Sequence, residues 1–125
     1  MPMREFYLVP VQADTPRTDY SDTVLAIDHS PCVVGRHPGC DRRVHHPKVS
    51  RRHCAFWLRD GRACVEDLGS RNGTWLNGKP LTGARPLAEG DRLDLAGIPF
   101  LCLSRTSYEE AVGGEGEVFG LAAGW

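Results

Sequence analysis

The sequence predicts an all-β domain, either a sandwich or a barrel. Apolar residues come in short runs, those runs are rich in β-branched and aromatic side chains, and Gly, Pro, Asp and Asn separate them where helical spacing would need continuity. A chain of 125 residues suits one such domain.

Taken in order, "EFYLVPV" (5–11), "TVLAI" (23–27) and "PCVVG" (31–35) read as strands. "HCAFWLR" (53–59), then Asp60-Gly61, then "RACVEDL" (62–68) read as a hairpin, because Asp-Gly supplies the positive φ angles of a two-residue type I′ turn. Further strands are expected at "TWL" (74–76), "RPL" (85–87), "DRLDL" (91–95) and "PFLCLS" (99–104), with Leu93 and Leu95 on one face. Of the five cysteines, Cys54, Cys64 and Cys102 stand inside apolar runs and are expected to be small buried hydrophobes. Cys32 and Cys40 complete an odd set without a C-x-x-C pair.

Two segments break the pattern. Residues 35–53, "GRHPGCDRRVHHPKVSRRH", are long, polar and poor in strand signal, and residues 69–80, "GSRNGTWLNGKP", carry two Asn-Gly turns. Long polar loops on a rigid β scaffold are where binding concentrates. The formal net charge is only −1, so no global field selects nucleic acid or membrane, yet from Arg36 to His53 five arginines and one lysine face one aspartate. That surplus, beside the Ser50 hydroxyl in "SRRH", is the donor set a phosphate requires: a guanidinium fork, neutralising charge and a hydroxyl.

"GR" at 35–36, "SRRH" at 50–53 and "SRNGTWLNG" at 70–78, taken together at these spacings, resemble the forkhead-associated (FHA) family. The resemblance covers roughly residues 4–104 and implies an FHA-type β-sandwich of two sheets, about eleven short strands, with binding loops at one apex. It implies a phosphothreonine-dependent protein-binding module downstream of Ser/Thr kinase signalling. By the same resemblance Arg36 and Ser50 contact the phosphate, Arg51 adds a basic contact, Arg71 makes a neighbouring ligand contact, and Asn72 holds the ligand main chain. Lys48 lies on the loop that helps select the residue three after the phosphothreonine. Gly35, His53, Gly73 and Asn77 brace the loops. A small pocket between "SRRH" and "SRNGT" takes the threonine γ-methyl.

Other readings are weaker. Binding of nucleic acid through the basic 36–53 loop lacks interleaved aromatics and an overall basic charge. A structural assembly module with an unused pocket does not account for the intact donor set. His53 has no nucleophile and oriented acid at suitable spacing, so no catalytic residue and no enzyme activity are expected. His37, Cys40, His45 and His46 match no standard zinc spacing, and adjacent histidines on an extended segment point to opposite faces; no metal and no cofactor are expected. No apolar run approaches the ~20 residues of a membrane span. "MPMREFYLVPVQ" lacks a signal-peptide core, so a cytoplasmic protein without membrane contact is expected. Residues 105–125 are Gly-rich and acidic and read as a mobile tail. The expected partner is a phosphothreonine-containing protein. An intramolecular phosphothreonine ligand, from Thr15, Thr18, Thr23 or Thr106, could compete with it through high effective concentration.

Overall fold

The computed structural model describes residues 5–11 and 24–113, with side chains described up to residue 110. Eleven strands and one helix follow in chain order: β1 (Phe6–Pro10), β2 (Leu25–Ile27), β3 (Cys32–Gly35), β4 (Arg42–Arg43), β5 (Cys54–Arg59), β6 (Arg62–Asp67), β7 (Thr74–Leu76), β8 (Lys79–Pro80), β9 (Ala84–Leu87), β10 (Arg92–Leu95), β11 (Ile98–Ser104) and α1 (Arg105–Gly113). They build two sheets, a six-stranded one ordered β2-β1-β11-β10-β7-β8 and a five-stranded one ordered β4-β3-β5-β6-β9. The architecture is a sandwich.

Alternation places the core between the sheets. Leu93 and Leu95 of "RLDL" are fully buried while Arg92 faces out. From β1, Phe6 and Leu8 point inward, and Phe6 meets Phe56 of the opposite sheet edge-on, ring centroids 5.7 Å apart at 66°. Asp60 (φ 53°) and Gly61 (φ 74°) form the positive-φ hairpin turn between β5 and β6. Cys32, Cys54 and Cys102 are buried in the core and all five thiols are free. Cys64 departs from expectation: on β6 it lies between inward Ala63 and Val65, so it turns to the outer face, across from Trp57, and is half-buried.

Three elements were not expected. β4 and β8 are two residues each, too short for a periodic pattern, and β4 lies inside the polar 35–53 segment. Residues 105–113, expected as the start of a tail, form a helix. Ser104 Oγ caps it by accepting the Ser107 N–H at 3.2 Å. Arg105 reaches Glu109 one turn on at 2.9 Å and Glu5 at 3.2 Å. Tyr108 lies on Tyr7 of β1 with ring centroids 4.5 Å apart. Val118, Phe119, Leu121 and Trp125 lie outside the described residues.

Register defines two ends of the sandwich. Thr74 pairs with Leu95 and Leu95 with Ile98, so the loop before β7 shares an end with the β10–β11 turn and the start of β11. Pro10 pairs with Phe100, which puts the last residue of β1 at that same end. β11 then runs away for seven residues, so α1 begins about 20 Å off, at the far end.

Candidate functional site

Three loops converge at the end that holds the start of β7: the one leaving β3 at Arg36, the one entering β5 at His53 and the one between β6 and β7. The first two approach so closely that a side chain on Gly35 has no room, since a Cβ there would stand 2.1 Å from the Arg51 carbonyl oxygen. The Arg36 N–H donates to Ser50 O at 2.9 Å and the His37 N–H to Arg51 O at 3.2 Å, while the Cys40 thiol donates to the same Arg51 oxygen. The second and third loops are joined by side chains. Ser50 Oγ accepts the Arg71 N–H at 2.9 Å, and the Asn72 side-chain amide donates to Lys48 O at 2.7 Å.

His53 is the pin between them. It is fully buried; its Nδ1 accepts the Ser50 N–H at 3.1 Å and its Nε2 pairs with Gly73 O at 2.8 Å. A ring that accepts at Nδ1 and donates at Nε2 is the neutral tautomer. Burial pushes its pKa down, opposed by the Gly73 carbonyl and the Asp67 charge.

The third loop is shaped by Asp67, at the end of β6. Its Oδ1 accepts the Ser70 hydroxyl at 2.5 Å and the Thr74 hydroxyl at 2.6 Å, and its Oδ2 accepts the backbone N–H groups of Gly69 at 3.0 Å and Ser70 at 2.9 Å. Burial raises the carboxyl's pKa, but those four hydrogen bonds outweigh it and hold the group below the ordinary carboxylate range. Ser70 Oγ in turn accepts the Gly73 N–H at 3.0 Å, where the chain turns at φ 86°. Asp67, Ser70 and Thr74 were missed in the sequence. The available signal was an aspartate followed two and three residues later by Gly and Ser, an Asx-turn pattern.

The exposed rim of this frame is cationic. Arg36 uses Nε to donate to Val49 O at 2.9 Å, which aims its fork; among the described residues neither of its Nη atoms has a partner. The guanidinium heads of Arg51 and Arg71 likewise make no hydrogen bond or ion pair among the described residues, and Lys48 is exposed beside His46. By contrast Arg42 is engaged, its Nη2 on Asp28 at 3.0 Å and its Nε on Ala26 O at 2.6 Å. Arg43 donates to Arg36 O at 2.8 Å. Ser50 Oγ accepts from Arg71, which leaves its proton to donate outward among those cations.

A family model for the FHA domain matches residues 32–96, more than half of the chain. The chain belongs to the FHA domain family. Glycogen accumulation regulator GarA of Mycolicibacterium smegmatis is 41% identical over 69 residues, spanning 55% of this chain and 43% of that protein. An oxoglutarate dehydrogenase inhibitor of Corynebacterium diphtheriae is 38% identical over 69 residues, 55% of this chain and 48% of that protein. The chain thus spans about half the length of these relatives. A solved structure from a study of phosphothreonine-dependent FHA domain interactions superposes with a TM-score of 0.66 at 27% identity, covering 81% of this chain and 97% of that one.

Within the FHA frame, Gly35, Arg36, Lys48, Ser50, Arg51, His53, Arg71, Asn72 and Gly73 all fall at the converging loops. Asn77 does not. It stands at the other end of β7, where its side chain accepts the Arg92 N–H at 2.9 Å and donates to Asp91 at 3.1 Å, bracing the β7–β8 turn against β10. Thr15, Thr18 and Thr23 lie outside the described residues, although the segment that carries them departs from the loop end of β1. Thr106 is exposed in the first turn of α1, at the far end. None of the described helices is long and apolar enough to cross a membrane. Of the residues His37, Cys40, His45 and His46, His37 accepts the Gly39 N–H at Nδ1 at 2.8 Å and the Cys40 thiol donates to Arg51 O at 2.9 Å.

Proposed function

We propose that this FHA domain, spanning residues 4–104, is a non-enzymatic reader of phosphothreonine in partner proteins, acting in the cytoplasm downstream of a Ser/Thr kinase, without nucleic-acid or membrane binding. One observation carries the reading: on the loops that meet at Ser50, the Nη atoms of Arg36 and the guanidinium heads of Arg51 and Arg71 have no partner among the described residues, and the acceptor side of the Ser50 hydroxyl is already taken by the Arg71 N–H. Cations without carboxylate partners around a pre-aimed hydroxyl are complementary to a dianion from another chain. In this reading Arg36 and Ser50 hold the phosphate and Arg51 supplements them. Asn72 and Arg71 contact the ligand's main chain and flanks, and Lys48 biases the position three residues on. The named functions of the relatives, a regulator and an inhibitor, accord with a binding role.

An intramolecular ligand is best sought in Thr15, Thr18 or Thr23, whose segment starts at the loop end. Thr106 stands about 20 Å away on the length of β11 and would have to unwind α1 to arrive.

The test is one peptide sequence in four forms, titrated side by side at fixed salt: phosphothreonine, phosphoserine, glutamate and unmodified threonine. Burying the γ-methyl contributes ~0.8 kcal/mol, about fourfold, and lost packing against an unfilled pocket adds to it. The phosphothreonine form is expected to bind at least tenfold tighter than phosphoserine, with the other two weaker still. Equal affinity for the two phosphopeptides would leave a general anion site in place of a threonine reader.

A further inference from the structure

Beside the end of β2, away from Ser50 and the β6–β7 loop, a second cluster of polar side chains comes together. His29 Nε2 stands 3.3 Å from Asp41 Oδ1, and Cys32 Sγ, His29 and Asp41 offer ligand atoms that all lie within 4.8 Å of one another. His29 Nδ1 is 2.8 Å from Asp28 Oδ1, and Asp41 Oδ2 accepts the Val33 N–H at 2.8 Å. The geometry points to a divalent-metal site, of zinc type, in which His29 Nε2, Asp41 Oδ1 and Cys32 Sγ are the protein ligands.

Four features support this. Two ligands at ~2.0–2.1 Å from a tetrahedral zinc ion stand about 3.3 Å apart, the separation of the histidine and aspartate atoms. The sulfur, at a Zn–S bond of ~2.3 Å, needs to be about 3.5 Å from each, so the cluster closes by a shift of at most about 1.3 Å. His29 and Asp41 are exposed and have room to make it. Secondly, the outer contacts are those that orient metal ligands: a carboxylate on the far nitrogen of the imidazole, which leaves Nε2 as the donor lone pair, and a backbone N–H on the far oxygen of the aspartate. Thirdly, charge matches. Asp28, Asp41 and a Cys32 thiolate set three negative charges against the Arg42 guanidinium, which is 3.0 Å from Asp28, and the remaining two are what a divalent cation neutralises. The thiol proton passes to solvent on binding. Finally, a nitrogen, an oxygen and a sulfur donor select zinc over calcium or magnesium, and three protein ligands leave one position for water.

An ion-pair network tying the β2–β3 turn to the loop before β4 accounts for Asp28, His29, Asp41 and Arg42, and core packing accounts for Cys32, but neither calls for the thiol to stand within reach of both exposed ligands. Sequence spacing does not show the set, since the parallel pairing of β3 with β4, Val34 beside Arg42, is what brings Asp41 to Cys32.

The experiment titrates zinc chloride into the reduced, metal-free chain against a chromophoric chelator, with cobalt(II) in parallel. One zinc per chain is expected, with a zinc-dependent rise in melting temperature and a thiolate-to-cobalt charge-transfer band. His29→Gln and Asp41→Asn, at exposed positions, are each expected to weaken zinc at least tenfold while the metal-free proteins melt as the parent does. Asp28→Asn is expected to weaken it less, and Cys32→Ala to abolish the cobalt band. Binding below one equivalent, a parent cobalt complex without the charge-transfer band, or zinc affinity unchanged in His29→Gln and Asp41→Asn would each overturn the site, the last by placing the metal on other surface histidines.

Discussion

Replacing Asp67 separates the architecture of the loop from the chemistry of the ligand. In Asp67→Ala all four donors lose their acceptor. Thr74 is only 2% exposed, so its hydroxyl has no water to turn to, whereas Gly69 is exposed and its N–H can be solvated. Hydrogen bonds to a charged group contribute roughly 1.5–3 kcal/mol each. Counting the two hydroxyl bonds as lost and the two amide bonds as largely replaced by water, the expected destabilisation is about 3–6 kcal/mol. Asp67→Asn should cost less. An amide oriented with its oxygen toward the Gly69 and Ser70 N–H groups places its nitrogen against the Ser70 and Thr74 oxygens, and hydroxyls can rotate to accept. Each bond then falls from charge-assisted to neutral, for a total near ~2 kcal/mol. Because the folded carboxyl is held below its unfolded value of about 3.9, its contribution is complete above that pH and is lost as pH falls through the folded value. Asp67→Asn should therefore flatten the acid limb of the stability curve. Urea unfolding followed by tryptophan fluorescence, at neutral pH and in the acid range, measures both effects. If Asp67→Ala unfolded within about 1 kcal/mol of the parent, or if Asn were as damaging as Ala, the four-bond account would be wrong.

Arg36→Ala is expected to weaken phosphothreonine peptide binding by about 2–4 kcal/mol, with only a small change in melting, since the side chain's one internal bond is to Val49 O; calorimetry that finds affinity within threefold of the parent would remove Arg36 from the phosphate. Gly35→Ala should destabilise by about 3 kcal/mol, at the upper end for overpacking, and lower binding with it, because the Cβ meets the Arg51 carbonyl at 2.1 Å; a melting curve like the parent's would show that the loops can part. His53→Ala should lower both melting and binding by unpinning Ser50 from Gly73. With the folded His53 pKa pushed below about 6.5, its stabilisation is complete above that value and declines as pH falls through the folded one, so the variant's stability should be flatter across that window. A variant that weakened binding with unchanged melting would put His53 on the ligand.

Strand order along the chain was legible because it is a local property. "RLDL" shows its inward face by alternation, and Asp60-Gly61 shows a turn because few other pairs accept two positive φ angles. The family could be read as well, since its residues are held in three short motifs. β4, β8 and α1 were not legible. Two residues have no period, and α1 depends on a Ser104 cap, an Arg105 bridge to Glu5 and a Tyr7 face that only the folded β1–β11 ladder brings to it. Cys64 and Cys54 look alike in sequence, and only strand register turns one outward and the other into the core. The same limit governs the site. Residue types at 36, 50, 51 and 72 are those an anion binder requires, and that much is legible in composition. Which cations remain free is a question of distance: Arg42 is consumed by Asp28 and Ala26, whereas Arg36 keeps its fork. Asp67 belongs to the loop frame because four donors separated in sequence close around it, and no local pattern states that they will.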